Sequence, residues 1–193
     1  MTTIRNGIKV FIAGSRRLSR LNTDVRRRID NILDKGFTVI VGDANGADTA
    51  VQRYLSSRNY NNVVVFCMEG GCRNNIGDWP TRTITATDPG RRDFAYYSTK
   101  DRVMAEEADY GLMLWDGRSR GTLTNIVHLV RKGKPVVVYI APDRSFYTLR
   151  RSDDLTEILT RLDPAALRRI DRDLQAAAMD GSSNRKVDTA PLF

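Results

Sequence analysis

Nowhere in this 193-residue chain is there an apolar run near the roughly 20 residues that a membrane-spanning helix requires, so no membrane partner is expected. Cysteine is scarce. Cys67 and Cys72 are too few for a disulfide framework or a four-ligand metal site, and both are expected as reduced thiols. Histidine is scarcer still: His128 stands alone and off the apolar stripe of its helix, at the surface or in a supporting position by expectation rather than as a catalyst. No metal and no cofactor are expected. The opening residues carry no apolar segment followed by a small-residue cleavage site, which leaves a cytoplasmic protein as the expectation. Acidic residues are in the minority, 23 against 31 basic ones, and the net charge of +8 favours an anionic partner. The basic residues are scattered, however, and many stand beside acids, as Arg172 does between Asp171 and Asp173. Charge alone identifies no partner.

What is present reads as one folded domain. The apolar fraction of 41% and charged fraction of 28% are those of a globular chain long enough to bury most of its apolar surface. Short β-branched runs at 9–13, 37–42, 62–67, 110–115 and 135–140 are almost continuously apolar, as strands covered on both faces are. Helical spacing fills the intervals. One stripe is Val25, Ile29, Ile32 and Leu33, opened by Asn22 or Thr23 and stopped by Gly36. A second is Ala47, Ala50, Val51, Tyr54 and Leu55; a third is Leu123, Ile126, Val127 and Val130. A further helix is expected from about 93 to 107. Strand–helix alternation of this kind implies parallel strands with helices on both faces.

The expected architecture is therefore α/β: a Rossmann-like three-layer sandwich with a five-stranded, mostly parallel sheet, over residues 1–145. Two helices with stripes through Leu155, Ile158, Leu159 and Leu162, then Leu167, Ile170 and Leu174, form an extension at 146–181. Residues 182–193 lack a pattern and are expected as a flexible tail. The segment 68–92 has adjacent glycines, Trp79 before Pro80 and a Thr-rich stretch, but no sustained period; long loops like this are functional or mobile. Trp79 either stacks a base from that loop or packs.

In an open α/β sheet, ligands bind beyond the carboxyl ends of the strands where the strand order reverses. With the five strands in the order 3-2-1-4-5, the reversal lies between the first and the fourth. The loops leaving those two strands both carry glycine, hydroxyl and arginine. Gly14 permits close backbone approach, Ser15 offers a hydroxyl, and Arg16 and Arg17 offer forked donors that match phosphate oxygens. In the other loop Gly117 and Gly121 permit tight turns, Arg118, Ser119 and Arg120 add donors, and Gly121 with Thr122 opens a helix whose free N–H groups favour an anion. The loop after the second strand brings Gly46 and Asp48 to another helix start. Asp48 either receives ribose hydroxyls or acts as an acid or base, or else merely complements the helix dipole. Asp116, beside Gly117, has the same choice between chemistry and turn formation.

These motifs, in this order, resemble the SLOG superfamily, named for the Smf/DprA and LOG proteins, and within it the YspA-like branch. The likeness is carried by Gly14, Ser15 and Arg16; by Gly42 with Gly46, Ala47 and Asp48; by Ala108 and Asp109; and by Trp115, Asp116, Gly117, Ser119, Gly121 and Thr122. It covers roughly residues 8–141 and implies a Rossmann-like sheet that recognises nucleotides or nucleotide-derived ligands such as ADP-ribose. Some relatives sense such ligands, while others are N-glycosidases with a glutamate just after the Gly–Thr pair. Here Asn125 follows Gly121, Thr122, Leu123 and Thr124, and an amide cannot replace that carboxylate.

The leading expectation is thus binding or sensing of a phosphate-bearing nucleotide. The alternative is an N-glycosidase or phosphoribohydrolase using Asp48 or Asp116, and whether any bond is cleaved stays open. Nucleic acid ranks last as a partner, since a contiguous basic face cannot be read from sequence. The C-terminal stripes make a homodimer the expected assembly.

Overall fold

The computed structural model describes residues 7–86 and 94–160. The strands are β1 (Lys9–Gly14), β2 (Thr38–Gly42), β3 (Val63–Met68), β4 (Thr81–Ile84), β5 (Tyr110–Trp115), β6 (Val136–Ile140) and β7 (Ser145–Leu149). The helices are α1 (Thr23–Asp34), α2 (Ala47–Ser57), α3 (Phe94–Glu107), α4 (Arg120–Arg131) and α5 (Ser152–Thr160). They form one sheet in the order β4-β3-β2-β1-β5-β6-β7, parallel throughout except where β7 runs antiparallel to β6.

Successive side chains of a strand point to opposite faces, and each face here has its own core. Val10 and Ile12 of β1 turn toward α1 and α2, joining Val25, Ile29, Ile32, Val51 and Leu55. Phe11 and Ala13 turn toward α3, α4 and α5, joining Met104, Leu123, Ile126, Leu155 and Ile158. The three-layer α/β sandwich is as expected, and so is the order of its five central strands. The reversal lies between β1 and β5, which pair from Val10 with Tyr110 to Gly14 with Leu114.

Two edge strands were not anticipated. β4 lies inside the segment read as a patternless loop, and only Ile84 of its four residues is buried. β7 occupies residues expected to begin the helical extension, and only Leu149 of it is fully buried. An edge strand covered on little of its surface carries no apolar run to announce it. The sheet thus has seven strands rather than five, and it continues past residue 145. Helix α5 follows within the expected extension; the second C-terminal helix and the tail at 182–193 lie outside the described residues, as does most of the surface on which a homodimer was expected.

Local chemistry explains the helix starts. Asn22 caps α1, its Oδ1 accepting from the Val25 backbone N–H at 2.8 Å. Ser119 caps α4, so that helix begins at Arg120, one residue before the expected Gly121. Trp79 resolves as a packing residue: it is buried in the core on the α1–α2 side, with Nε1 donating to the Tyr60 carbonyl at 2.9 Å. Cys67 and Cys72 are joined in a disulfide, contrary to the expectation of free thiols. The chain leaving β3 doubles back, bringing their Cα atoms to 5.0 Å, within the range a disulfide spans. No helix among the described residues is long and apolar enough to cross a membrane.

Candidate functional site

At the switch point the carboxyl ends of β1, β2 and β5 open into a cleft of about 760 Å³. One wall is the loop from β5 into α4, and the opposite wall comes from the β2 and β3 ends. The first turns of α3 lie alongside. Its lining contains Gly14, Arg16, Arg17, Asp48, Asp116, Ser119, Arg120, Gly121 and Thr122 from the expected set, together with Arg118. Ser15, Gly46 and Gly117 do not line it.

Their places are informative. Ser15 is completely buried, and its Oγ donates to Asp116 Oδ1 at 3.0 Å while accepting from the Asp116 backbone N–H at 3.0 Å. The same Asp116 oxygen accepts from the backbone N–H groups of Arg118 (3.0 Å) and Ser119 (2.7 Å). One carboxylate oxygen thereby receives three donors, an aspartate turn that shapes the loop. Thr122 Oγ1 completes the knot, 3.3 Å from Ser15 Oγ and 3.1 Å from Ser119 Oγ. The effect is to bolt the β1 loop to the start of α4. Gly46, with φ +89°, sits where any Cβ would strike the Arg16 backbone, so it sets the close crossing of two loops. Gly14 has a similar duty, since a Cβ there would overlap Leu114 and Ala47.

Gly121 is different. A Cβ built on it would meet only Phe94 Cε2, at 3.9 Å, so packing does not require glycine there. What its missing side chain leaves clear is the cleft beside the first turn of α4, where the Gly121 backbone N–H and the helix dipole favour an anion, the Thr122 N–H being taken by the Ser119 cap. Arg16, Arg17 and Arg118 are exposed at the rim, and among the described residues no carboxylate pairs with them. Arg120 lies over the Phe94 ring, 4.2 Å from its centroid.

The other end of the cleft joins Asp48, from the expected set, to Asp43, Arg73 and Lys100, which sequence reasoning missed. Asp43, at the end of β2, is buried and takes a forked clamp from Arg73: Nε to Oδ2 at 3.2 Å and an Nη to Oδ1 at 2.7 Å. The Arg73 backbone N–H adds a third bond to Oδ2 at 3.0 Å. Lys100 of α3, also buried, donates to Asp43 Oδ1 at 3.1 Å. Burial alone would raise the Asp43 pKa, but the Arg73 hydrogen bonds and the Lys100 charge overcome it and hold the carboxyl down at about 2. Asp48 is the opposite case. Burial raises it, Lys100 opposes, and the neighbouring Asp101 and Asp43 charges push it further up, to about 6. Its Oδ2 accepts from the Ala44 N–H at 3.1 Å. Gly42 makes this arrangement possible, because any Cβ there would overlap both Asp48 Oδ2 and Lys100 Nζ.

Asn125, standing where the resemblance implies glutamate, is buried in the lining and donates from Nδ2 to Asp101 Oδ2 at 3.3 Å. A carboxylate is therefore present nearby, supplied by α3 rather than α4. The lone histidine, His128, is not part of the lining. Among the described residues, no cluster of histidine, cysteine and carboxylates suited to a metal ion occurs.

No protein-family model matches the sequence, and no curated protein matches it. Similarity emerges in three dimensions. DNA processing protein A from Helicobacter pylori, described for its binding of single-stranded DNA, superimposes with a TM-score of 0.55 at 16% identity, covering 88% of this chain and 81% of that one. The DNA processing protein A of Streptococcus pneumoniae does so with a TM-score of 0.51 at 15% identity, covering 68% of this chain and half of its own. At these identities the likeness establishes the fold: this chain is built on the same Rossmann-like sheet as the DprA proteins.

Proposed function

We propose that the chain binds a phosphate-bearing nucleotide, or a nucleotide-derived molecule of the ADP-ribose kind, in the switch-point cleft. The observation that carries this reading is the combination at one end of the cleft: a helix start left clear at Gly121, with Arg16, Arg17 and Arg118 around it and no acidic partner for them among the described residues. An anion is the occupant such a surface favours. Phe94 and Tyr97, in the first turn of α3, line the cleft and supply apolar contact for a base, each ring already carrying an arginine, Arg120 and Arg73. The placement in the YspA-like branch of the SLOG superfamily rests on the motif set and accords with a ligand of this class. Titrating the protein with a nucleotide and its dephosphorylated form tests the reading.

Because the Helicobacter pylori neighbour binds single-stranded DNA, nucleic acid rises above the last rank that sequence assigned to it. A nucleotide within a strand presents the same phosphate and base as a free one. An oligonucleotide belongs in the same titration, where a steep loss of affinity with salt would identify a polymer held by its backbone.

A second reading is favoured by Asp48. A buried carboxyl with its pKa near 6, beside Asp101, can hold a proton in mildly acidic solution and pass it to a leaving base. In that reaction the N-glycosidic bond breaks, the base leaves with the Asp48 proton, and water adds to the sugar carbon next to the Asp101 carboxylate, its surplus proton returning to Asp48. Asp116 is the poorer candidate, since its Oδ1 already accepts three hydrogen bonds. Chromatography of a nucleotide after incubation with the protein would show released base; its abolition by Asp48→Asn would assign the acid.

A further inference from the structure

We propose that the Cys67–Cys72 disulfide is a redox control on the cleft, acting through Arg73. The affinity part of this inference rests on the nucleotide-binding reading above. Cys67, at the end of β3, has no exposure, whereas Cys72 is only half-buried. Between them the chain reverses through Gly70 and Gly71, at φ +95° and +105°, and a side chain on Gly71 would meet nothing within 4 Å. The turn is open and made of the most flexible residues. The covalent bond, together with the packing of Cys72 against the core on the α1–α2 side, ties residue 72 back to the strand.

The next residue is Arg73. Its backbone N–H and guanidinium all bind Asp43, and its guanidinium carbon lies 4.6 Å from the centroid of the Tyr97 ring. Both Arg73 and Tyr97 line the cleft. The loop beyond is anchored independently. Asn74 Nδ2 donates to the Asp43 carbonyl at 2.7 Å, and the Ile76 N–H donates to Gln52 Oε1 at 3.0 Å. Opening the disulfide therefore removes the covalent tether beside Arg73, leaving its bonds to Asp43 to hold it alone and to open more often, while the rest of the loop stays in place. The sequence separation of only 5 residues keeps the ring small, and small rings stabilise a fold less than large ones do. The bond can thus be made and broken without unfolding.

The exchange is a two-electron reduction by a dithiol. A reductant thiolate attacks the accessible Cys72 Sγ and the Sγ–Sγ bond breaks; Cys67 departs as a thiolate and takes up a proton. The reductant's second thiol then displaces Cys72, which leaves as a thiol, and the reductant ends as a disulfide. Each time Arg73 opens, Asp43 keeps Lys100 as its one cation among the described residues, and the cleft loses a positive charge from its lining. Reduction weakens binding.

The test uses the full chain, oxidised and after dithiothreitol, with thiols counted by alkylation and mass spectrometry. Hydrogen exchange is followed over residues 69–74, and AMP is titrated by calorimetry. The expected results are two thiols appearing only on reduction, exchange over 69–74 accelerated about tenfold, and AMP affinity reduced about tenfold. Cys72→Ser should match the reduced protein and ignore dithiothreitol. Thiols that remain free after treatment with an oxidant would overturn the proposal, as would exchange that is indifferent to reduction. Unchanged AMP affinity alongside accelerated exchange would also overturn it, since the loop would move without controlling the cleft. If neither form binds AMP, the nucleotide reading fails and the control of affinity with it, whereas exchange over 69–74 still decides whether the disulfide holds Arg73.

Discussion

The two ends of the cleft handle charge in opposite ways. At the α4 end, Arg16, Arg17 and Arg118 stand at an exposed rim without acidic partners among the described residues, and the carboxylate present, Asp116, is consumed by the turn it shapes. At the β2 end, Asp43, Asp48 and Lys100 are buried together, with Arg73 clamping from the edge. The first end is unsatisfied until an anion arrives; the second is satisfied already. An arginine that reaches into water costs little to keep and is available to a ligand. A buried lysine among carboxylates is committed to them, and removing it leaves charges with neither water nor partner. Substitutions should therefore hurt binding at one end and stability at the other.

The largest expected effect follows. Lys100→Met strips Asp43 and Asp48 of their buried cation and should destabilise the fold by about 3–5 kcal/mol, read from chemical denaturation. A loss below about 1 kcal/mol would mean that Arg73 alone compensates the acids.

The next effect is a dependence on pH. Asp48 has a folded pKa near 6 against 3.8 ordinarily, so the folded state binds more protons between those values. Stability should fall as pH rises from about 4 to 6, by about 3 kcal/mol from this group, and then level off. Asp43 works in the other sense. With its pKa held at about 2, it contributes about 2 kcal/mol that is fully present above 3.8 and is lost as pH falls through 2. Asp48→Asn should flatten the fall between pH 4 and 6 and leave the acid limb intact. A slope unchanged by that substitution would place the titrating group elsewhere.

One of these ends was legible in the sequence throughout, the other only at Asp48. Gly14, Arg16, Arg17 and the run from Asp116 to Thr122 are contiguous motifs in strand-to-helix turns, and topology alone brings the two loops together. The central strands were legible for a related reason: strands covered on both faces are apolar throughout. The buried end is assembled from residues distant in sequence, Asp43, Arg73 and Lys100, and nothing local marks any of them. Lys100 lies in a helix with no clear apolar face, and Arg73 in a segment whose only visible feature was its lack of pattern. The edge strands β4 and β7 escaped because so little of either is buried. Ser15, Gly46 and Gly117 were legible as special but not as structural, since glycine and serine suit a tight loop as well as a ligand.

Smaller effects belong to the open end. Arg118→Ala or Arg120→Ala should lower nucleotide affinity about ten- to a hundredfold with little change in melting temperature, measured by calorimetry and thermal denaturation together. The smallest should come from Gly121→Ala. With only Phe94 near the added methyl group, the fold should be untouched and affinity should fall about three- to tenfold. Equal losses of stability and affinity in these variants would erase the distinction between the two ends.

Whether the α4 end holds a phosphate is decided by a single titration. AMP and adenosine share base and sugar and differ by the phosphate alone, and calorimetry at fixed salt compares them on the oxidised full chain. If the α4 end holds a phosphate, AMP binds at least about tenfold more tightly than adenosine, and Arg118→Ala removes most of that difference. Equal affinity for the two, or binding of neither, would contradict it.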